Sequence, residues 1–176
     1  MPQVTKVTLQ DLRGAIRQFA SSSDDDLTPL VERGEAKGFG DGETIFFEGQ
    51  PARALYFLVR GNVRIHRKLE TGTQVDLAVL AEGAIFGEVA LLADTERTAS
   101  ASAQGPVTVL RVPGDMLYTD YREGKTYARF LLLAVARLLA GRLEAMNIRL
   151  ADMITQQSRG GDLDVFRKKM FQDWTI

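Results

Sequence analysis

The chain has 176 residues, with 22 Lys or Arg, 23 Asp or Glu and a formal net charge of −1. This length is typical of one domain with appended helices. The near-neutral charge argues against a protein held on DNA or an anionic membrane by bulk electrostatics, and the absence of cysteine excludes disulfides and thiolate metal sites within the chain.

The apolar segments of the sequence do not have the features of a signal peptide or of a membrane-spanning helix. The opening residues, MPQVTKVTLQ, contain no apolar stretch of signal-peptide length. The longest apolar run, FLLLAVARLLA, is too short to cross a bilayer and contains Arg137. We therefore expect a cytoplasmic protein without a membrane partner.

The first 26 residues are expected to form a helix and a linker. The segment TLQDLRGAIRQFA carries apolar residues at helical spacing, and Thr8 is a candidate N-cap. The run SSSDDD follows it, and its serines and aspartates predict a solvated acidic linker. The main domain is then expected to span residues 27–157.

Between about residues 40 and 113 the pattern is that of short strands. Segments rich in Val, Ile, Tyr and Phe are separated by glycines at regular intervals. These segments are ETIFFE, RALYFLVR, NVRIHRKL, TQVDLAVLA and PVTVLRV. They predict an antiparallel, jelly-roll-like β-roll, and the flanking helices make the fold class α+β.

Helices are expected to follow the roll, over residues 114–157. GDMLYTDY predicts a short helix, and Thr126 begins a second one that runs to about Gln157. The second helix carries a seven-residue repeat. It favours homodimerisation through residues 132–153 over the alternative, in which this helix packs on the chain's own core. The members of the repeat are Leu132, Ala136, Leu139, Leu143, Met146, Leu150 and Met153. The last segment, 158–176, predicts a helical tail that acts either as a lid or as a docking element.

The stretch FGEVALLADTERTASASA, residues 86–103, contains the candidate ligand-binding residues. Gly87 opens a short helical turn, whose unpaired backbone N–H groups favour an anion. A carboxylate at Glu88 suits a sugar hydroxyl, which donates to it. Arg97 supplies a planar fork for two phosphate oxygens, and Thr98 adds a hydroxyl beside it. These residues predict a site for one phosphate and one ribose.

This stretch resembles the phosphate-binding cassette of the cyclic nucleotide-binding domain family. That family includes the bacterial catabolite activator proteins and the regulatory subunits of cAMP-dependent protein kinase. The resemblance covers about residues 27–150 and includes the upstream segment GETIFFEGQPARALYFLVRGNVRI. The matching cassette residues are Phe86, Gly87, Glu88, Val89, Ala90, Leu91, Arg97, Thr98 and Ala99.

The resemblance implies a role for each cassette residue. Arg97 would hold the cyclic phosphate, and Glu88 would accept a hydrogen bond from the ribose 2′-hydroxyl. Backbone groups of Gly87, Val89 and Ala90 would complete the cradle.

The resemblance also implies which residues contact the base. Thr98 would reach the phosphate or the base, Ile65 and Leu77 would wall the base pocket, and Arg142 would cover the base from the long helix. It favours cAMP as the ligand. cGMP stays the second candidate, because Thr98 is compatible with both.

An enzyme is not expected. A cupin-like metal centre would need several inward-facing ligands, whereas the sequence has one histidine, His66, which the strand alternation directs toward water. No metal is therefore expected. DNA binding by a winged helix-turn-helix is not expected either, because about twenty residues follow Gln157.

Two functions are left open. The first is a cyclic-nucleotide sensor that signals to a protein partner by repositioning its C-terminal helices. The second is a degenerate β-roll that no longer binds nucleotide and acts as a dimerisation or docking scaffold. Glu96 favours the second, because the family often has proline before the arginine and a carboxylate there could compete for Arg97.

Overall fold

The computed structural model describes residues 6–157 of the chain. The tail predicted at 158–176 lies outside the described residues. The chain divides into two compact units, Met1–Val135 and Ala136–Ile176. The first unit carries the sheet and the whole of the stretch at 86–103.

The N-terminal helix is confirmed. Helix α1 spans Leu9–Ala15 with Thr8 as its N-cap. The Thr8 hydroxyl accepts a hydrogen bond from the Asp11 N–H, and the Asp11 carboxylate accepts one from the Thr8 N–H, which forms a capping box. A single 3₁₀ turn, Arg17–Phe19, follows it.

The prediction of an acidic linker is wrong for its second half, because residues 24–26 belong to a helix. Helix α2 spans Asp24–Arg33, so the three aspartates form its first turn. Ser23 caps this helix by accepting a hydrogen bond from the Asp26 backbone, while the Asp26 carboxylate accepts from Ser23. Negative charges at a helix N-terminus are stabilised by the helix dipole, so the acidic run starts a helix here.

Within residues 6–157, six strands form one antiparallel sheet, which confirms the predicted roll and the α+β class. The strands follow the order β1-β6-β3-β4, while β2 pairs with β6 and β5 with β3. Their bounds are β1 Glu35–Phe39, β2 Thr44–Phe46, β3 Ala54–Lys68, β4 Gln74–Leu80, β5 Ile85–Phe86 and β6 Ser100–Pro113.

Two segments that were predicted as separate strands, RALYFLVR and NVRIHRKL, form one continuous strand. This is the 15-residue strand β3. Gly61 between them has a φ of +88° and lies where the register of β3 against β6 shifts. A side chain at Gly61 would overlap the backbone oxygen of Pro106. The glycine therefore marks a β-bulge within a continuous strand rather than a turn.

The two faces of β3 separate two packed layers. Tyr56 and Leu58 belong to the buried cluster inside the roll, together with Phe46 and Phe86. Phe57 points to the opposite face, where its ring centroid lies 5.3 Å from that of Phe19. The inner cluster forms the base on which the candidate site is built.

Both predicted C-terminal helices are confirmed. Helix α4 spans Gly114–Arg122 and helix α5 spans Thr126–Gln157. Gly114 lies against Leu91, which would overlap with any added Cβ, so α4 begins in close contact with the segment after β5. Within the described part of the chain, no helix has the length and apolarity needed to cross a membrane.

A buried carboxylate ties α2, α4 and the start of α5 together. Asp120 on α4 is 1% exposed and accepts hydrogen bonds from Lys125 at 2.8 Å, from Arg33 and from Tyr127. Burial alone would raise the pKa of Asp120, but the hydrogen bonds from Lys125 and Tyr127 and the charge of Arg33 outweigh it, so the pKa lies below its usual value.

We expect Asp120→Asn to lower the free energy of unfolding by about 1–3 kcal/mol at pH 7. The loss stays moderate because the side chains of Arg33 and Lys125 are 42% and 44% exposed, so water replaces part of the pairing. Because the folded pKa of Asp120 is depressed, its contribution is present above the unfolded value near 3.8 and is lost as the pH falls through the folded pKa.

Urea unfolding at pH 7 and at pH 3 measures the difference in the free energy of unfolding between wild type and Asp120→Asn. The gap between wild type and Asp120→Asn should be smaller at pH 3. Glu123→Gln is the control, because Glu123 also pairs with Lys125, at 3.0 Å, but is exposed. Gaps of equal size at the two pH values would contradict the assignment.

Candidate functional site

Gly87 forms the turn between β5 and a short helix, α3, which spans Glu88–Leu92. It is the N-cap of α3 and has a φ of +76°. A Cβ at this position would lie 2.8 Å from Nη1 of Arg97 and 3.2 Å from Cδ2 of Tyr56. Both the backbone angle and the lack of space require glycine here.

The Arg97 guanidinium lies directly against this turn. It is 4% exposed; Nη1 donates to the carbonyl of Gly87, and Nη2 donates to that of Ala54 at 2.6 Å. A guanidinium has five N–H donors, so two carbonyl acceptors do not exhaust it. Arg97 thus joins the β5–α3 turn to the start of β3 and keeps donors for a further acceptor.

The backbone of Arg97 is held by the turn between β2 and β3. Its N–H donates to Gln50 at 2.8 Å, and its carbonyl accepts from the N–H of Gly49 at 2.8 Å. Pro51 and Glu96 form an isolated bridge between the same two segments. Glu96 is exposed on this loop. The loop that presents Arg97 is therefore fixed at its backbone as well as at its side chain.

Two rings of a three-ring aromatic cluster, those of Phe46 and Tyr56, contact the guanidinium. Phe46, Tyr56 and Phe86 pack with centroids 5.2–6.0 Å apart. Cζ of Arg97 lies 4.3 Å from the Phe46 centroid and 5.7 Å from that of Tyr56. These are cation–π distances.

The site holds a buried cation beside a buried carboxylate. Burial lowers the pKa of Arg97, while the Tyr56 hydroxyl and the Glu88 carboxylate act in the opposite direction. A guanidinium stays charged in spite of such a shift. Glu88 is 1% exposed at the first position of α3. The arrangement provides a charged donor for an anion and a carboxylate acceptor one residue after the glycine turn.

The structure brings six of the nine predicted cassette residues together around the β5–α3 turn. They are Phe86, Gly87, Glu88, Ala90, Leu91 and Arg97, and Phe86, Ala90 and Leu91 are buried there.

The other three cassette residues lie nearer the surface. Val89 is exposed on α3, Thr98 is exposed after Arg97, and Ala99 is half-buried. Their predicted ligand contacts stay predictions.

The residues predicted to contact a base are spread over three elements. Ile65 on β3 packs against the cluster inside the roll. Leu77 on β4 is 56% exposed and lies at the point where the β3–β4 register shifts, opposite Ile65 and His66. Arg142 is half-buried on α5 and belongs to the second unit. The base pocket stays a prediction.

Sequence reasoning missed the groups that hold Arg97 in place. They are the Phe46 and Tyr56 rings and the carbonyl of Ala54. ETIFF and ALYFL showed aromatic residues on strands, but not which of them would meet across the roll. The expectation for His66 was also incomplete: the side chain is half-buried, and Nε2 lies 2.9 Å from Oγ of Ser102. Among the described residues, no cluster of three His, Cys, Asp or Glu side chains could hold a metal.

Comparison with known proteins fits this geometry. The model of the cyclic nucleotide-binding domain family matches residues 36–119. The solved N-terminal domain of a transcriptional regulator from Streptomyces coelicolor is 30% identical, with a TM-score of 0.63 over 77% of this chain and 96% of that one. The chain belongs to the cyclic nucleotide-binding domain family.

Curated relatives of this cyclic nucleotide-binding domain include bacterial regulators. A global nitrogen regulator of a Nostoc species is 32% identical over 69% of this chain and 52% of its own length. The CRP-like cAMP-activated global transcriptional regulator of Mycobacterium tuberculosis is 30% identical over 73% of this chain and 55% of its own length. The chain spans about half the length of these relatives.

We expect Gly87→Ala to destabilise this cyclic nucleotide-binding domain more than Gly72→Ala does. Both glycines have positive φ, +76° and +85°, so each substitution has a backbone cost of about 1–2 kcal/mol. Nothing lies within 4 Å of a Cβ at Gly72, whereas one at Gly87 displaces Arg97. Urea unfolding of the two variants measures the difference. Equal losses would show that Arg97 is not held against the turn.

Proposed function

We propose that the chain is a cyclic-nucleotide sensor that binds cAMP, with cGMP as the second candidate ligand. The observation that carries this proposal is the buried Arg97 guanidinium, bonded to the carbonyl of Gly87 beside the buried Glu88. A desolvated cation is costly unless it is compensated, and the strongest compensation that it can gain is an anionic oxygen.

Each cassette residue has a role in this proposal. Arg97 binds the cyclic phosphate together with backbone N–H groups of Gly87, Val89 and Ala90. Glu88 accepts a hydrogen bond from the ribose 2′-hydroxyl.

The contacts beyond the phosphate and ribose complete the proposed site. Thr98 and Ala99 line the phosphate or the base, Ile65 and Leu77 form the wall of the base pocket, and Arg142 covers the base.

The preference for cAMP is supported by the descriptions of relatives. The Mycobacterium tuberculosis protein is described as cAMP-activated. The exposed hydroxyl of Thr98 is compatible with either purine base, so the two nucleotides must be compared directly.

The proposed output is a movement of the C-terminal helices that a protein partner detects. A ligand shifts such an equilibrium only by its differential affinity for the two helix arrangements. A micromolar site supplies about 8 kcal/mol of binding free energy, and the part that depends on helix position is available for signalling. We place this process in the cytoplasm, as expected for a cysteine-free chain.

We also propose a homodimer through residues 132–153. Within the second unit, Leu143 and Met146 are 50% and 65% exposed and three positions apart on α5. Two large apolar side chains presented on one helix, in register with a seven-residue repeat, favour a paired helix over a solvated one.

The alternative is a nucleotide-free scaffold, and its main argument was Glu96. In the structure Glu96 is exposed and forms an isolated β-bridge with Pro51. The Arg97 guanidinium instead donates hydrogen bonds to the carbonyls of Gly87 and Ala54. This geometry favours the sensor, because the described contacts of Arg97 leave it beside Gly87 and Glu88.

We expect Arg97→Leu to weaken cAMP binding by about 30-fold or more, because it removes the charged partner of a desolvated phosphate, a loss of about 2–5 kcal/mol. Arg97→Lys should fall between this variant and wild type, since it keeps the charge and loses the fork. Isothermal titration calorimetry measures the three affinities.

Arg60→Leu is the control for this series. Arg60 lies on β3, is largely exposed and pairs with Asp11, so its loss should leave the affinity unchanged. A change under tenfold in Arg97→Leu, with the fold intact by circular dichroism, would mean that Arg97 is not the phosphate ligand.

We expect the double variant Leu143→Glu/Met146→Glu to be monomeric at concentrations at which the wild type is dimeric. Four new like charges, two on each helix, would repel across the proposed seam. Sedimentation equilibrium measures the mass of each. The control is Glu144→Gln/Asp152→Asn, which changes exposed charges on α5 outside the predicted repeat. Equal masses for the wild type and the Leu143/Met146 variant would exclude this dimer.

A further inference from the structure

Among the described aromatic rings that contact the Arg97 guanidinium, the ring of Phe46 lies nearest. Cζ of Arg97 lies 4.3 Å from its ring centroid. Phe46 ends β2 and is buried inside the roll. The register of β2 against β6 shifts between Thr44 and Phe46, and such shifts commonly re-aim a side chain.

The remaining contacts act on other sides of the same group. The carbonyls of Gly87 and Ala54 accept hydrogen bonds from the two terminal nitrogens, so they lie near the plane of the guanidinium. The guanidinium carbon also lies over the face of the Phe46 ring. The two carbonyls fix the directions of the terminal N–H groups, and the ring provides a third contact that restricts movement of the guanidinium.

The Phe46 ring is itself held in place. Its centroid lies 5.5 Å from that of Tyr56 and 6.0 Å from that of Phe86. Tyr56 and Phe86 are register partners on β3 and β5, so both rings are fixed by strand pairing. The orientation of Arg97 is thus transmitted from the sheet through an aromatic cluster, and not by an oppositely charged partner alone.

We infer that Phe46 is a positioning residue for Arg97: its ring sets the tilt of the guanidinium and thereby the affinity of the site for a phosphate group. This inference rests on the proposed function. It concerns the phosphate and not the base, so the change should be the same for cAMP and cGMP.

The test compares Phe46→Leu and Phe46→Tyr with wild type. Leucine keeps an apolar side chain and removes the π face, whereas tyrosine keeps the face. Loss of a desolvated cation–π contact lowers the affinity by roughly tenfold or more. We expect Phe46→Leu to bind both nucleotides roughly tenfold more weakly, with an unchanged ratio between them, and Phe46→Tyr to retain most of the wild-type affinity.

Phe57→Leu is the matched control. Phe57 is also buried, but on the opposite face of β3, against Phe19. It should lose stability on urea unfolding and keep its nucleotide affinity. If Phe57→Leu weakens binding as much as Phe46→Leu does, Phe46 acts only through core packing and the inference fails.

A second readout does not require a ligand. Protons held over the face of an aromatic ring are shielded, so the Nε–H proton resonance of Arg97 should move downfield in Phe46→Leu and stay shielded in Phe46→Tyr. An unchanged resonance in Phe46→Leu overturns the contact itself. If the wild type binds neither nucleotide, the proposed function fails and the affinity role of Phe46 fails with it, while the resonance still decides whether Phe46 orients Arg97.

Discussion

The burial of one guanidinium organises the candidate site. Arg97 is almost inaccessible to water, and an arginine cannot shed its charge to relieve the cost. The buried charge is stabilised by two backbone carbonyls, by the face of the Phe46 ring and by the nearby Glu88. These groups come from β2, the start of β3 and the β5–α3 turn, so the roll must close before Arg97 has its partners.

The fold explains how distant segments meet at this point. The β2–β3 turn holds the backbone of Arg97, the start of β3 supplies the carbonyl of Ala54, and the β5–α3 turn supplies that of Gly87. Gly87 permits this approach because it has no Cβ to displace the guanidinium. Asp120 joins α2, α4 and the start of α5 through its hydrogen bonds with Arg33, Lys125 and Tyr127.

Local signals in the sequence predicted α1, α4, α5, the antiparallel roll and the grouping of Gly87, Glu88 and Arg97. Capping residues, strand alternation and the order of these three residues are each encoded within a few residues. The acidic run at 24–26 was misassigned although its signal is also local: Ser23 and Asp26 form a capping box that starts a helix. The joining of two predicted strands at Gly61 and the contact of Phe46 with Arg97 depend on pairing between strands far apart in the chain. Such pairing is set by the closed roll and leaves no short-range pattern.

The most direct test of the central claim is calorimetric titration of the full chain with cAMP and, separately, with cGMP, after unfolding and refolding to remove any nucleotide that co-purifies. A sensor should bind one of the two, cAMP by our account, with a dissociation constant in the micromolar range or below. If neither nucleotide produces a binding isotherm at millimolar concentration, Arg97 is a structural cation inside a roll that serves as a scaffold.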